Sequence, residues 1–238
     1  MKAPLAGKRI LVTRPRAQAE KLAQRIRAAG GEPLVFPTIE ILDPADPLPA
    51  QAALQKLDSF DLAIFVSPNA VERGLAMLAR PWPGGLRAAA IGSGTRAALE
   101  ERGFKDVIAP SGQADSEALL ALPQLAGCRS VVIFRGEGGR AFLGAALRER
   151  GATVEYAECY RRAVPQNASP PAGRVDAVTV NSTEALENLC AMLGDPTAPL
   201  FVPHPRVAEA ASRMGLRALV AGPGDSEMLD RLVAYFSA

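Results

Sequence analysis

The sequence is poor in the residues from which metal and redox sites are built. Its 238 residues include one histidine and three cysteines. A single imidazole, His204, excludes His-rich metal centres and any mechanism that needs two imidazoles. Cys128, Cys159 and Cys190 are spaced 31 residues apart each time. That spacing matches neither a clustered metal site nor a disulfide-stapled secreted domain. No stretch approaches the ~18–20 unbroken apolar residues of a membrane span. The opening Met1–Arg9 carries no signal-peptide core, so a reduced, cytoplasmic chain is expected. A basic block is also missing: Lys+Arg total 27 against Asp+Glu 25, a net charge of +2. A nucleic-acid partner is therefore not expected. What is present is ordinary globular composition, 48% apolar and 22% charged. At ~100–200 residues per domain the length allows one large domain or two modest ones.

An internal duplication decides between these. Asp115-Ser116-Glu117-Ala118-Leu119-Leu120 returns as Asp225-Ser226-Glu227-Met228-Leu229-Asp230. Phe65-Val66-Ser67 returns as Val180-Asn181-Ser182, and both copies lead into a helical stretch ending in Ala-Met-Leu. Leu11-Val12-Thr13-Arg14-Pro15 has its partner in Val132-Ile133-Phe134-Arg135-Gly136. The pieces keep their order, with offsets between 110 and 121 residues. A period of that length is a repeated domain and not a solenoid.

Each copy alternates short apolar strands with amphipathic helices. Strands are predicted at Arg9–Thr13, Leu34–Phe36, Leu62–Val66, Ala88–Ile91, Val107–Ile108, Val131–Phe134, Thr153–Tyr156, Ala177–Val180, Leu200–Val202 and Ala218–Val220. A helix over about Ala17–Ala29 ends at Gly30-Gly31, since glycine readily takes the left-handed conformation past a helix C-terminus. Others follow Pro68, Thr95 and Ser116, and fill the gaps in the second copy. This pattern predicts an α/β protein of two doubly wound domains with parallel sheets covered on both faces.

In such sheets ligands bind outside the carboxyl ends of the strands, where helix N-termini point. Small polar residues mark those turns: Thr13-Arg14, Ser67-Pro68-Asn69, Ser93-Gly94-Thr95, Arg135-Gly136, Asn181-Ser182-Thr183 and His204-Pro205-Arg206. Free N–H groups and half a positive charge at each helix start suit an anion with several carboxylates or phosphates. Helix capping alone accounts equally for any single Ser, Thr or Asn.

Taken in order, these segments resemble the uroporphyrinogen-III synthase family. The residues carrying the resemblance are Val12-Thr13-Arg14-Pro15, Phe36-Pro37-Thr38-Ile39-Glu40, Ile64–Val71, Ala90–Thr95, Ser116–Leu120, Phe134-Arg135-Gly136 with Gly139-Arg140, Gly151–Val154, Cys159–Arg162, Asp176–Ser182 and Pro203–Ala208. The resemblance implies two α/β domains joined by a two-stranded linker. Domain one is then 1–36 plus 164–238 and domain two is 40–159, with crossings at 37–39 and 160–163 and a central cleft that opens by hinging. It implies a linear tetrapyrrole substrate, hydroxymethylbilane, which is dehydrated and closed to uroporphyrinogen III with its last ring inverted through a spiro intermediate. Neither metal nor organic cofactor is implied. A monomer is expected, in transient contact at most with the preceding enzyme of the pathway.

The implied roles fall on named residues. Tyr160, at the second crossing, is the candidate acid for the departing hydroxyl; a phenol is a weak acid, so its assistance is modest. The alternative is a Tyr160 packed in the linker with its hydroxyl in water. Ser67, Ser93, Thr95, Asn181, Ser182 and His204 are candidate substrate-binding residues, with capping as the other reading. Thr13, Arg14 and Arg140 are candidate carboxylate partners, and Gly136 allows close backbone approach. The family often has Thr-Ser where this chain has Val66-Ser67 and Asn181-Ser182, and a hydroxyl residue near His204-Pro205. Two rivals differ in class. One is a Rossmann enzyme, since Gly92–Ala97 and Gly136–Ala141 match G-x-G-x-x-A and Glu155 or Glu158 stands near the ribose distance. The other is a non-catalytic two-domain protein that closes on an acidic solute.

Overall fold

The computed structural model describes residues 3–112, 115–166 and 168–237. Its contacts divide the chain into two units: unit one runs up to Glu40 and resumes at Ala163, and unit two is Ile41–Arg162. The chain begins in unit one with β1 (Arg9–Val12), α1 (Arg16–Ala28) and β2 (Glu32–Val35). Unit two follows with β3 (Glu40–Leu42), α2 (Leu48–Gln55), β4 (Leu62–Phe65), α3 (Pro68–Ala76), β5 (Arg87–Ala90), α4 (Ser93–Glu100), α5 (Ser116–Leu120), β6 (Ser130–Gly136), α6 (Phe142–Glu149) and β7 (Thr153–Ala163). Unit one is completed by β8 (Ala177–Thr179), α7 (Thr183–Leu193), β9 (Leu200–Val202), α8 (Pro205–Arg213), β10 (Ala218–Val220) and α9 (Asp225–Ser237).

Sheet one has the order β10-β9-β8-β1-β2 and sheet two the order β3-β7-β6-β4-β5. Val107-Ile108 appears as a single parallel bridge, Ala89 to Ile108, beyond β5. Read from that bridge, sheet two runs bridge-β5-β4-β6-β7 and repeats sheet one strand for strand. Register supports the same equivalence: Val12 pairs with Thr179, and their repeat partners Ile133 and Ile64 pair with each other. One contact survives the duplication in changed chemistry. Thr38 Oγ1 donates to Ala185 O at 3.2 Å, and its repeat partner Cys159 sends Sγ to Ala70 O at 3.7 Å. The extra strand of sheet two is β3, at the edge beside β7.

The cores follow from strand alternation. Ala63, Phe65, Ala88, Ala90, Val132 and Phe134 face one side of sheet two and pack with α2 and α3. Leu62, Ile64, Ala89, Val131 and Ile133 face the other and pack with α5 and α6. In unit one Ile10, Val12, Ala177 and Phe201 meet Ala19, Leu22 and Ile26 of α1 and Met228 and Leu232 of α9. A strand buried on both faces reads as the continuous apolar run seen at Leu62–Phe65. The turn after α1 closes as the glycines require: Gly30 sits at φ +85°, and the Gly31 N–H reaches back to Ile26 O at 2.9 Å.

Candidate active site

The carboxyl ends of β4, β5, β6 and β7 form the rim of sheet two. Ser67 follows β4 in an extended conformation and starts α3: its Oγ accepts the Ala70 N–H at 3.0 Å, with Pro68 at the first helical position. Ser93 and Thr95 lie in the first turn of α4, Ser93 exposed and Thr95 buried. The two helix starts lie side by side, since a Cβ on Gly94 would sit 4.0 Å from Pro68 Cγ. Their free N–H groups and dipoles add on the same stretch of rim.

Tyr160 completes this rim. It belongs to β7 and is 2% exposed, packed in the same core as Phe65 and Phe134. Its hydroxyl lies 3.0 Å from Ser67 Oγ, so it is held by the α3 cap. A β-bulge puts it there. β6 and β7 stay in step to Arg135 opposite Glu158, and then Gly136 stands opposite Tyr160. The Glu137 N–H is donated to Tyr160 O at 2.8 Å. Gly136 must be glycine for this contact, because a Cβ would come within 2.7 Å of the Tyr160 ring. The structure therefore brings Tyr160, Ser67 and Gly136 together.

Arg135 shapes the loop that follows. The side chain is almost fully buried, pairs with Glu158 at 3.2 Å and lies over the Tyr156 ring at 4.5 Å. Its guanidinium donates to Gly139 O and Arg140 O, folding residues 136–140 around it. Arg140 itself is exposed, and so is Phe142 at the start of α6, at 48%. Sequence reasoning missed both the burial of Arg135 and the exposed ring of Phe142. An apolar residue at the first position of a helix, just past a strand's carboxyl end, was the available signal for the second.

The neighbouring thiol is not a nucleophile. Burial pushes Cys159 up to about 12, against hydrogen bonds to the backbone and the Arg73 charge that act the other way. Among the described residues no three His, Cys, Asp or Glu side chains form a group that could hold a metal ion.

Unit one presents the equivalent rim with different occupants. Ser182 caps α7 by accepting the Ala185 N–H at 3.1 Å, as Ser67 caps α3. Thr13 is buried and its hydroxyl is donated inward to Thr179 O at 2.8 Å. Arg14 is ion-paired with Asp225 of α9, and its Nε is buried without a partner. Asn181 Oδ1 is likewise buried and unpartnered. His204 is exposed at the start of α8 and its side chain makes no capping bond.

Comparison with known proteins fixes the family. The family model described as uroporphyrinogen-III synthase HemD matches residues 20–229. The chain belongs to the uroporphyrinogen-III synthase family. Its relatives include the uroporphyrinogen-III synthase of Escherichia coli, 34% identical over 93% of this chain and 94% of that one. The Salmonella typhimurium synthase is 41% identical over 64% of each chain. Among solved structures, a mutant uroporphyrinogen III synthase from Thermus thermophilus has a TM-score of 0.63 at 19% identity, covering 97% of this chain and 99% of that one. The Helicobacter pylori synthase has a TM-score of 0.62 at 19% identity over 96% and 99%. These two share the fold: two α/β domains with mostly parallel five-stranded sheets. The family's activity is a hydro-lyase step of tetrapyrrole biosynthesis. The Gly136 turn that resembled a dinucleotide fingerprint has another use here. Gly136 accommodates Tyr160, while Glu155 and Glu158 pair with Lys56 and Arg135.

Proposed function

We propose that the chain converts hydroxymethylbilane to uroporphyrinogen III plus water, with inversion of ring D through a spiro intermediate. The observation that carries the mechanism is the Tyr160–Ser67 pair at the start of α3, seated by the bulge at Gly136. The substrate's hydroxyl is a poor leaving group until it is protonated or strongly hydrogen-bonded. When Ser67 donates to Tyr160 Oη, the phenol proton is free for that hydroxyl. The C–O bond breaks, water leaves, and the pyrrole nitrogen lone pair takes up the positive charge as a methylene-pyrrolenine. The substituted carbon of ring D attacks this centre to give the spiro intermediate. The original methylene bond to that carbon then breaks, the neighbouring pyrrole nitrogen taking up the charge as a second methylene-pyrrolenine, and the unsubstituted α-carbon on the other side of the ring D nitrogen attacks that methylene, which inverts the ring. Loss of a ring proton restores the pyrrole and returns a proton to Tyr160. General acid assistance of this kind contributes typically ~10²–10⁴-fold.

The rims supply the rest. Peptide N–H groups at the starts of α3 and α4, with Ser67, Ser93, Thr95 and Arg140, are assigned to acetate and propionate carboxylates. The α7 start with Ser182, and the His204 turn, take the same role in unit one. Asn181 Oδ1 suits a pyrrole N–H, the donor that such an acceptor lacks. Thr13 and Arg14, engaged with Thr179 and Asp225, act by holding the β1 turn in shape. Holding the two chain ends in one geometry supplies up to ~7–11 kcal/mol in favourable intramolecular reactions. Three free cysteines fit a reducing compartment, and we place the reaction in the cytoplasm. The test is a coupled assay with freshly made hydroxymethylbilane, oxidation of the product and separation of the porphyrin isomers. The chain yields type III in excess over a buffer blank; an isomer ratio equal to the blank overturns the assignment.

A further inference from the structure

Unit two has an open groove of about 410 Å³ at the amino end of β5, the opposite end of that strand from the Ile91–Ser93 turn. It lies between two turns, Trp82–Arg87 and Arg102–Asp106. Its volume is that of small-molecule sites, which run ~300–1,000 Å³. Two half-buried aromatic rings line it, Trp82 and Phe104, held edge to face with centroids 5.0 Å apart. The Trp82 Nε1–H is donated to Leu86 O at 2.9 Å, which fixes the indole from behind. Arg102 and Lys105 are exposed on the same wall, with no side-chain hydrogen bond or ion pair among the described residues. Arg87 is already tied to Gln124 O, and Asp106 is the one carboxylate of the lining, so the free charge there is positive. Gly84 and Gly85 leave the space open: a Cβ on either meets nothing within 4 Å.

We propose that this groove is a binding site for a small aromatic anion, a flat ring carrying one or two carboxylate or phosphate groups. The ring lies against Trp82 and Phe104, where offset-stacked or edge-to-face contact favours a flat aromatic ligand. The anionic group meets Arg102 and Lys105, which pay no internal partner to receive it. The site is separate from the Ser67–Tyr160 rim, and its occupancy does not depend on the cyclisation proposed above.

Trp82 is the only tryptophan in the chain, so its fluorescence reports this site directly. The full chain is titrated with adenosine monophosphate and with isophthalate, and, as half-probes, with adenosine and with inorganic phosphate. The expected result is a saturable change with one or both ring-bearing anions, the responding one identifying phosphate or carboxylate as the preferred group. Neither half-probe produces it at the same concentration. The double variant Arg102→Ala/Lys105→Ala weakens binding tenfold or more. Gly85→Leu, at a position without left-handed backbone, fills the groove and abolishes binding. Turnover in the isomer assay is unchanged in both variants. The proposal is overturned by no saturable change with either anion, by equal binding of phosphate alone, or by binding that survives both variants.

Discussion

The two units are one strand plan filled in two ways. At equivalent positions around the rim, unit one places Thr13, Pro15, Thr38 and Thr179 where unit two places Phe134, Gly136, Cys159 and Ile64. Unit one uses hydroxyls that bond to neighbouring backbone carbonyls, as Thr13 does to Thr179 O and Thr38 to Ala185 O. Unit two uses stacked rings, with Phe65 and Phe134 4.4 Å apart and nearly parallel. What both keep is the helix start: Ser67 and Ser182 cap in the same geometry at 3.0 and 3.1 Å. The frame and its anion-friendly helix ends are therefore the shared inheritance. The acid candidate belongs to one copy alone, because only unit two has a glycine opposite a tyrosine at the bulge.

The largest contrast is in the core. Phe134→Ala removes a ring stacked on Phe65 and packed against Gly74, and costs about 3–5 kcal/mol in urea unfolding. Its counterpart Thr13→Val removes one hydroxyl bond and costs about 1 kcal/mol. Equal costs would break the comparison. Gly136→Ala pushes a methyl into the Tyr160 ring and costs about 1–3 kcal/mol as overpacking, with turnover falling at least tenfold. Pro15→Ala, at the matching place in unit one, leaves turnover within about twofold.

Cys159 and Thr38 sharpen the contrast through pH. A thiol whose folded value is raised to about 12 stays protonated in the folded chain, while in the unfolded chain it ionises above 9.0. The unfolded state then binds fewer protons, so stability is fully present below 9.0 and falls as pH rises toward 12. Cys159 contributes up to about 1.4 kcal/mol per pH unit to this slope, and that contribution disappears in Cys159→Ala, leaving the smaller one of Cys190, whose thiol is also pushed up by burial and by Asp195. Thr38→Ala leaves the Cys159 contribution intact, as a difference of unfolding curves taken between pH 8 and 11 shows. The cap pair has a stability effect as small as that of Thr13→Val. Ser67→Ala and Ser182→Ala each cost about 1 kcal/mol, but Ser67→Ala also frees Tyr160 and slows turnover at least tenfold more than Ser182→Ala.

Much of this frame was legible in the sequence because its signals are local. Apolar runs gave the strands, Gly30-Gly31 the end of α1, and Ser67-Pro68 and Ser182 the helix starts. The ordered repeat anticipated the shared strand order. What was not legible depends on pairing between distant segments. β7 runs unbroken to Ala163, joining the strand expected at Thr153–Tyr156 to the extended crossing at 160–163, and its bulge leaves Cys159 and Tyr160 buried in succession, which breaks the alternation a strand normally shows. Tyr160 read as the candidate acid at the crossing, with a packed ring and a hydroxyl in water as the alternative; its hydrogen bond to Ser67 was not legible, and the structure holds the hydroxyl there. α2 went unread because Leu48–Gln55 is short, begins beside prolines and has few polar residues to define a face. Arg135 read as a turn residue because burial of a guanidinium needs carbonyl partners that no local pattern announces.

The most direct test of the account is single-turnover cyclisation of hydroxymethylbilane by Tyr160→Phe, followed by isomer separation. The ring still packs, so folding is retained and only the hydroxyl on Ser67 is lost. The account predicts formation of the type III isomer slowed by about 10²-fold or more, with the unassisted type I product gaining share as it overtakes. A rate and an isomer composition identical to those of the unsubstituted chain would contradict it.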